Sequence, residues 1–594
     1  MSIKALKKIT LYGLASEKES LLRGLQSLGC MHLIPLAHSQ NGESELTEPQ
    51  SAKEALTWLS NCPTKRREAR SSELSADQLV TKVLDNKHLH RQAADQRDAL
   101  IKRISEVRPW GDFSFCDIDD MANVRLWFYV VPHNDMNAVR GLELPWEVVH
   151  KDQQNDYVVV LAEDEPAADL LPVRRSHVGG QPLSELEANL EAAEMKLEDI
   201  QGERESLTRW IYIISQAAAR FEDEKALRDV SSTVLEDDQF FLVAGWMPAD
   251  REKDVRRFID EQPAAVTIEE PAEDDKPPTL LDNPEIMGGG TEAMAFYQLP
   301  SYRSWDPSTM VFFSFSLFFA MIMNDAAYSL VIALIIYLMR NKLGTTIAGK
   351  RISNLAYFMA GLGFVWGVCA GSYFGYTPPP DTFIGSLKFI EMNDYTTMMK
   401  VSIVVGGIHI IIANLITAWL NRGRLNMLAP IGWAIAIAGG LTFWLSYLGS
   451  IDQAAGGKVM MIVGAVMLFL FTSTRQIKGV KDIFLRTADG LYALYEISSV
   501  FGDILSYMRL FALGLAGASL AVTFNSLAFQ IKDSMPGIGI LFCFMILVLG
   551  HLLNITLSIV SGVVHGLRLN VIEFFKWSLS DEGYPFKPFQ KRED

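Results

Sequence analysis

The stretch Ser498–Leu520, SSVFGDILSYMRLFALGLAGASL, constrains this chain more than any other. Its length and apolarity suit a bilayer crossing, yet Arg509 sits near its middle. An arginine stays protonated at any physiological pH. A charge at mid-membrane costs roughly 2.5–3.5 kcal/mol on insertion scales. The fold must therefore supply that guanidinium with a partner, a water-filled cavity, or a use.

Comparable apolar runs surround it: Met310–Met339, Ile352–Gly375, Thr397–Leu420, Met427–Leu448, Val459–Ser473, Asp489–Phe529 and Pro536–Trp577. Each approaches or exceeds the ~20 residues that span a bilayer. Up to about Asn283 the chain is instead polar and only intermittently apolar. The net charge of −16 draws on acidic runs such as Glu163–Glu165 and Glu270–Asp275, which argues against nucleic acid as a partner. Cys30, Cys62, Cys116, Cys369 and Cys543 have no metal or redox spacing and fit a reducing compartment for the polar half. The start, MSIKALKKITLYGL, lacks an apolar signal core, so that half is expected in the cytoplasm. The expected domains are a cytoplasmic part, 1–284, a linker, 285–309, a transmembrane part, 310–577, and a cytoplasmic tail, 578–594.

In the first part, Ile9–Leu14 reads as a strand, Glu17–Leu28 as a helix C-capped by Gly29, and Met31–Leu36 as a strand. No Gly-rich turn follows the first strand, so this α/β lobe is not a phosphate loop. A polar linker, Asn41–Gln50, precedes a helical pattern clearest over Leu79–Ile104 and ended by Pro109. A distal lobe, about 122–162, has strands at Val124–Val131, Glu147–His150 and Tyr157–Leu161 and a helix at Asp135–Leu142. Then Leu183, Leu186, Leu190, Ala193, Leu197, Ile200, Arg204, Leu207, Ile211 and Ile214 alternate in steps of three and four. That is a heptad seam with one polar member, Arg204, on a helix over about 183–226. Ser184 and Glu187 read as a capping box after Pro182. At ~1.5 Å per residue this helix reaches roughly 60 Å. It is expected to pair with Leu79–Ile104 as an antiparallel hairpin tipped by the distal lobe; a homodimeric coiled coil is the alternative. Phe240–Met247, Asp250–Asp260 and Ala265–Glu269 form a strand–helix–strand unit that resembles Leu126–His150.

The loops of the second part alternate in charge. Arg340–Arg351, Arg422–Arg424, Arg475–Arg486 and the tail from Lys576 carry most of the Lys and Arg, which places them in the cytoplasm. Lys388, Lys458 and Lys532 stand almost alone in the intervening loops. With the first half also cytoplasmic, Met310–Met339 must cross an even number of times, as a tight hairpin turning near Asn324-Asp325. A single tilted span with an external first half is the alternative. The expected fold class is mostly α: a polytopic membrane protein with eight transmembrane helices and both termini inside, preceded by a cytoplasmic arm of two small α/β lobes joined by a coiled-coil hairpin.

Around Arg509, the residues Gly502, Ser506, Ala512, Ala516 and Ser519 share one helical face, where small side chains let another helix pass closely. On the last helix His551, Asn554, Ser558, Ser561, His565 and Arg568 recur at steps of three and four, with Glu573 beyond. This polar seam is either interhelical hydrogen-bonding glue or the wall of an aqueous path. Glu496 and Asp503 are further ionisable candidates; Glu496 lies 13 positions from Arg509, roughly 20 Å along a helix.

The motifs SYMRLFALGLAG and VVHGLRLNVIEFF, with LYGL, RPWG, AGWMP, LPSYRSWDPST, NDAAYS and GSYFGY in order, resemble the membrane stator subunit of V-type and archaeal-type rotary ATPases, called subunit a, or subunit I in bacteria. The resemblance covers the whole chain. It implies eight membrane helices beside a rotor ring of proteolipid (c/K) subunits. It also implies an arm bound to E/G-type peripheral stalks, a neighbouring d/C-type central-stalk subunit, and residence in the inner membrane of a prokaryote. By position Arg509 matches the essential arginine and Arg568 its companion. The chain departs from the pattern in three places. Asn324-Asp325 stands where Gly-Asp is common, Ser558 where many members have glutamate, and Gly517 where many eukaryotic members have histidine. The loss at position 558 makes Glu496 or Asp503 the substitute acid of the outer half-channel. The resemblance implies proton (or sodium) translocation without a cofactor; no Walker loop is present, so ATP chemistry belongs to other subunits. A stand-alone secondary transporter binding an anion at its arginines is the rival class. Such proteins show repeated halves with broken helices, and no such internal symmetry is seen here, nor would the heptad arm have a job in that class. A coiled-coil receptor, the third class, leaves two intramembrane arginines unexplained.

Overall fold

The structure, a computed structural model, describes residues 2–36, 48–113, 124–167, 170–390, 394–473, 475, 479–535, 537–579 and 581–592. Cys116, the first residues of the distal lobe and most of the Asn41–Gln50 linker lie outside them. Two compact units form. One takes the residues up to Leu11, Ala244–Arg257 and Val266–Pro588; the other takes Tyr12–Val243, Phe258–Ala265 and the residues from Phe589.

The polar part begins with β1 (Leu6–Leu14), α1 (Lys18–Leu28) and β2 (His32–Ile34). Leu21, Leu22 and Leu25 form the buried face of α1, and Gly29 ends it at φ 61°, a left-handed position that glycine adopts without a Cβ clash. Glu48–Gln50, expected in a linker, open α2 (Glu48–Ser60). α3 (Ala76–Val107) starts at a true capping box, Ser75 with Gln78. β3 (Arg125–Pro132), α4 (Met136–Arg140), β4 (Trp146–Lys151) and β5 (Asn155–Ala162) form the distal lobe, an antiparallel sheet of order β3-β5-β4. α5 (Leu183–Leu207) and α6 (Ile211–Thr233) follow, then β6 (Leu235–Glu236), β7 (Phe240–Pro248), α7 (Glu252–Asp260) and β8 (Ala264–Glu269). The sheet of β1 has the order β2-β7-β1-β8, with β6 on β7.

α3 and α5 run antiparallel. Leu79, Val80 and Val83 meet Leu207 at one end. Ile104 and Val107 meet Leu186 at the other, where Trp110, Phe128 and Val159 of the distal lobe join the same core. Two details differ from the sequence reading. The heptad helix is broken at Thr208–Trp210, a turn of 3-10 helix. There the segment between α2 and α3 docks: Arg66 N–H donates to the buried Thr208 hydroxyl at 2.9 Å, and Ala69 N–H to the Arg209 carbonyl at 2.9 Å. Ser184 does not cap α5. Pro182 is the N-cap, and Asp112 accepts from both the Ser184 N–H (3.1 Å) and hydroxyl (3.2 Å), so a carboxylate distant in sequence does the capping. The seam's polar member, Arg204, is buried. Its guanidinium lies over the Trp58 ring at 3.7 Å, and Nη2 donates to the Trp58 carbonyl at 2.7 Å.

The membrane part opens with α8 (Gly289–Ala295) and β9 (Leu299–Pro300). Its apolar helices are α9 (Ser308–Met323), α10 (Ala326–Leu343) and α11 (Ile347–Ala370); then, after the short α12 (Phe383–Ser386), α13 (Tyr395–Leu420), α14 (Leu428–Tyr447) and α15 (Ala454–Phe471). A long interrupted helix follows as α16 (Val480–Tyr495), α17 (Ile497–Ser506) and α18 (Met508–Ser534). The last is α19 (Gly539–Arg568), continued by a π-helical segment, Leu569–Phe574, and α20 (Phe575–Ser578); β10 (Glu582–Gly583) then pairs with β9. Among the described residues seven helical stretches are long and apolar enough to cross a membrane, and α9 is an eighth, shorter apolar helix. This is a multi-pass membrane protein.

The break at Asn324-Asp325 has a plain cause. Asn324 takes the left-handed conformation (φ 48°) and Asp325 N-caps α10. The arms do not close into a tight hairpin, because each packs on α11. Gly363 and Gly367 of α11 allow this: a Cβ on Gly367 would lie 2.2 Å from the Ala326 nitrogen. The α14–α15 pair is equally close, with Gly439 against the Gly457 carbonyl and Gly464 against that of Gly432.

Candidate functional site

Arg509 lies two residues into α18, just past the break at Tyr507. Its Nη1 is buried without a hydrogen-bond partner, and no ion pair joins it to another described residue. Nearby on α19 and its π continuation, His565 Nδ1 and Glu573 Oε2 are also buried and unpartnered. Arg568, on α19's last turn, approaches Glu573 Oε1 at 3.8 Å. The charges of both arginines act on His565 and Glu573. Arg509, His565, Arg568 and Glu573 are therefore one cluster with spare hydrogen-bonding capacity.

The π segment is what turns Glu573 into that cluster. Asn570, fully buried, donates from Nδ2 to the Gly566 carbonyl at 2.9 Å and accepts from Ser314 on α9. An inserted residue of this kind shifts the following side chains around the helix, and such bulges recur at functional positions.

Asp503 and Glu496 lie on the α16–α17 side of Arg509. Asp503 Oδ2 accepts from Lys576 Nζ (2.8 Å) and Trp577 Nε1 (2.8 Å), and Lys576 also donates to Ser499 (2.7 Å). Glu496 stands at the α16–α17 junction, partly exposed. Neither meets His551, Asn554 or Ser558, which gather on the other side of Arg509.

There the partners come from α10, α18 and the loop after α11. Asn554, buried on α19, donates to the Gly517 carbonyl (2.8 Å) and to the Tyr328 hydroxyl (3.0 Å). That hydroxyl lies 2.7 Å from His551 Nδ1, and His551 Nε2 lies 3.0 Å from Asn525 Oδ1. Asn525 in turn donates to the Phe374 carbonyl at 2.7 Å. The directions follow from the donor inventory: Asn525 Oδ1 only accepts, so His551 carries its proton on Nε2, and Nδ1 of the neutral ring accepts from the Tyr328 hydroxyl. Ser558 is buried beside Gly517, where a Cβ would touch its hydroxyl at 3.3 Å. Ser561, half-buried, sits between this network and the arginine cluster. The seam thus splits: His551 and Asn554 are bonded into the bundle, while His565 and Arg568 keep free capacity.

Asp325 is almost fully buried, and its carboxylate accepts from five donors: the Ala327, Tyr328, Phe374 and Gly375 N–H groups and the Ser372 hydroxyl, at 2.7–3.1 Å. That saturation makes it a structural pin. The face carrying Gly502, Ala512, Ala516 and Ser519 is exposed, with Ser506 half-exposed. Sequence reasoning missed Tyr328, Asn525 and Trp577, which sit inside apolar stretches, and gave Lys576 only as the start of the basic tail; only the recurrence on α19 announced a network.

Over nearly its whole length the chain is similar to the V-type ATP synthase subunit I of Chlamydia trachomatis, 26% identical over an alignment of 655 positions, gaps included, that covers 97% of each chain. It is also similar to the A-type ATP synthase subunit I of Methanocaldococcus jannaschii, 27% identical over 462 residues, covering 70% of this chain and 65% of that one. Among solved structures, the cytoplasmic N-terminal domain of a subunit I, homologue of subunit a of V-ATPase, aligns with 44% of this chain and 99% of its own at 16% identity, with a TM-score of 0.25. No protein-family model matches the chain.

Proposed function

We propose that this homologue of the V-type and A-type ATP synthase subunits I is the membrane stator subunit of a rotary ATPase, carrying protons or sodium ions past a rotor ring. The observation that carries the reading is Arg509: a permanent cation, partly buried, with an unpaired Nη1, on a helix whose small-residue face is open. A carboxylate on a passing rotor helix is the partner that such a group lacks.

The mechanism follows from charge and solvation. An ion entering by one aqueous half-channel neutralises a rotor carboxylate. Neutral, that group crosses lipid at modest cost; charged, it could not. When it returns to Arg509 the fixed cation favours the ionised form, and the ion departs by the other half-channel. Arg509 also repels any cation hopping directly between the two. His565, Glu573, Arg568, Asp503 and Glu496 line the cytoplasmic route. His551, Asn554, Ser558 and Ser561, with Tyr328 and Asn525, line the outer one. With Asp325 saturated by five donors and Asp503 held by Lys576 on the cytoplasmic side, His551 is the titratable group of the outer route. The Lys- and Arg-rich loops support this orientation, with the polar half and both termini in the cytoplasm of a prokaryotic cell. The arm of α3 and α5 then reaches E/G-type peripheral stalks, near a d/C-type central-stalk subunit.

The test is Arg509→Ala in the purified complex reconstituted into vesicles. ATP-driven ion uptake should disappear while the complex stays assembled. Undiminished uptake would remove the assignment.

A further inference from the structure

α13 carries a histidine that this mechanism does not use. His409 is 96% buried, since only 4% of it is exposed, and its Nε2 has no hydrogen-bond partner. Its Nδ1 shares a hydrogen bond with the Tyr507 hydroxyl at 2.7 Å. Its ring stacks on Phe574, centroids 4.3 Å apart and planes 14° apart, and Phe318 of α9 meets it edge-on at 5.1 Å.

Two of these contacts, Tyr507 and Phe574, are at irregular points. Tyr507, fully buried, is the residue at which α17 stops and α18 starts; around it the backbone bonds i to i−3, Tyr507 N–H to the Ile504 carbonyl and Leu510 N–H to that of Tyr507. Arg509 is two residues on. Phe574 closes the π segment, adjacent in sequence to Glu573 and six residues past Arg568. A break and a bulge are each soft points in a helix. One side chain from a third helix holds both, and Gly406, one turn earlier on α13, leaves the room for the Tyr507 ring.

We infer that His409 is a positioning residue: through Tyr507 and Phe574 it sets the placement of Arg509 relative to Glu573 and Arg568. Burying an imidazole with one nitrogen unsatisfied costs stability, and a phenylalanine there would pack without that cost. Retaining histidine makes sense where the Tyr507 hydrogen bond fixes a geometry. The inference rests on the translocation role of Arg509 proposed above.

The experiment uses the complete complex in vesicles and reads ions moved per ATP hydrolysed. Tyr507→Phe, which keeps the ring, and His409→Leu should each lower that ratio by about three- to tenfold, the worth of one buried hydrogen bond. The double variant should fall no further than either single one, because both remove the same bond. His409→Asn, which retains a polar group near the Nδ1 position, should recover part of the ratio. A wild-type ratio in Tyr507→Phe, or single-variant losses that multiply in the double, would overturn the inference. If His409→Leu does not assemble, Tyr507→Phe decides alone. Arg509→Ala separates the two claims: uptake lost there but normal in Tyr507→Phe sinks only the positioning role, whereas uptake retained in Arg509→Ala sinks the translocation reading itself.

Discussion

Gly406→Ala should damage ion coupling although residue 406 touches no ion route. A Cβ there would lie 2.5, 2.6 and 2.8 Å from the Cγ, Cδ2 and Cβ of Tyr507. Ordinary carbon contact begins near 3.4 Å, so the ring or its helix must retreat by about 1 Å. The ring cannot do so alone: it is fully buried, hydrogen-bonded to His409 at 2.7 Å and packed edge-on to Phe318 at 5.6 Å. The displacement passes to the start of α18, and hence to Arg509. Overpacking of this kind costs about 1–3 kcal/mol of stability. A misplacement of ~1 Å at a functional group costs up to about a hundredfold in rate. Ion uptake per ATP in vesicles should therefore fall about ten- to hundredfold in an assembled complex. Gly440→Ala, whose Cβ meets nothing within 4 Å, is the matched control and should behave as wild type. Normal coupling in Gly406→Ala would refute the argument that the Tyr507 break places the arginine.

Four further outcomes are expected. Asp325→Asn replaces one acceptor oxygen with an amide that cannot accept from its donors; at about 1.5–3 kcal/mol per charge-assisted bond it should lower the detergent unfolding midpoint clearly, and an unchanged midpoint would contradict the pin. Cysteines at Ser561 and Arg568 should react with water-soluble thiol reagents faster than one at buried Ser558; equal protection at all three would favour glue over a path. In the arm, Trp58→Ala uncovers the Arg204 guanidinium and should cost about 2–4 kcal/mol, read as a lowered melting transition of the polar part. In the distal lobe, His133 hydrogen-bonds Asp156 at 3.0 Å, which raises the His133 pKa and lowers that of Asp156. The histidine's contribution is complete below its ordinary 6.5 and lost as pH rises through its raised value; the aspartate's is complete above 3.8 and lost as pH falls through its lowered one. Local hydrogen exchange at β5 should be slowest between those limits, and His133→Asn should remove the alkaline loss.

The membrane half was legible because a bilayer crossing imposes length and apolarity, and because one arginine in the middle of such a run is costly enough to stand out. The open face of Gly502, Ala512, Ala516 and Ser519 and the α19 seam were legible as periodicity. Other features depend on contacts between distant segments. The breaks at Glu496 and Tyr507 leave no mark on an apolar run, and the π segment changes the period within a single turn. His409, Tyr328 and Asn525 are single polar residues on three different helices, and only packing brings them to their partners. Asp112 caps α5 from 72 positions away, which is why the nearer Ser184 and Glu187 read as the cap.

The central claim is that the face beside Arg509 is swept by helices of another subunit, and disulfide cross-linking measures that directly. In the complete complex, Ala512→Cys and Ala516→Cys on the open face of α18 should each form a disulfide with a cysteine placed one turn from the membrane carboxylate of the rotor subunit, and rotation should stop until the bond is reduced. Val459→Cys, exposed on α15, should not cross-link. Absence of cross-links from both α18 positions, with a cross-link from Val459, would contradict the account.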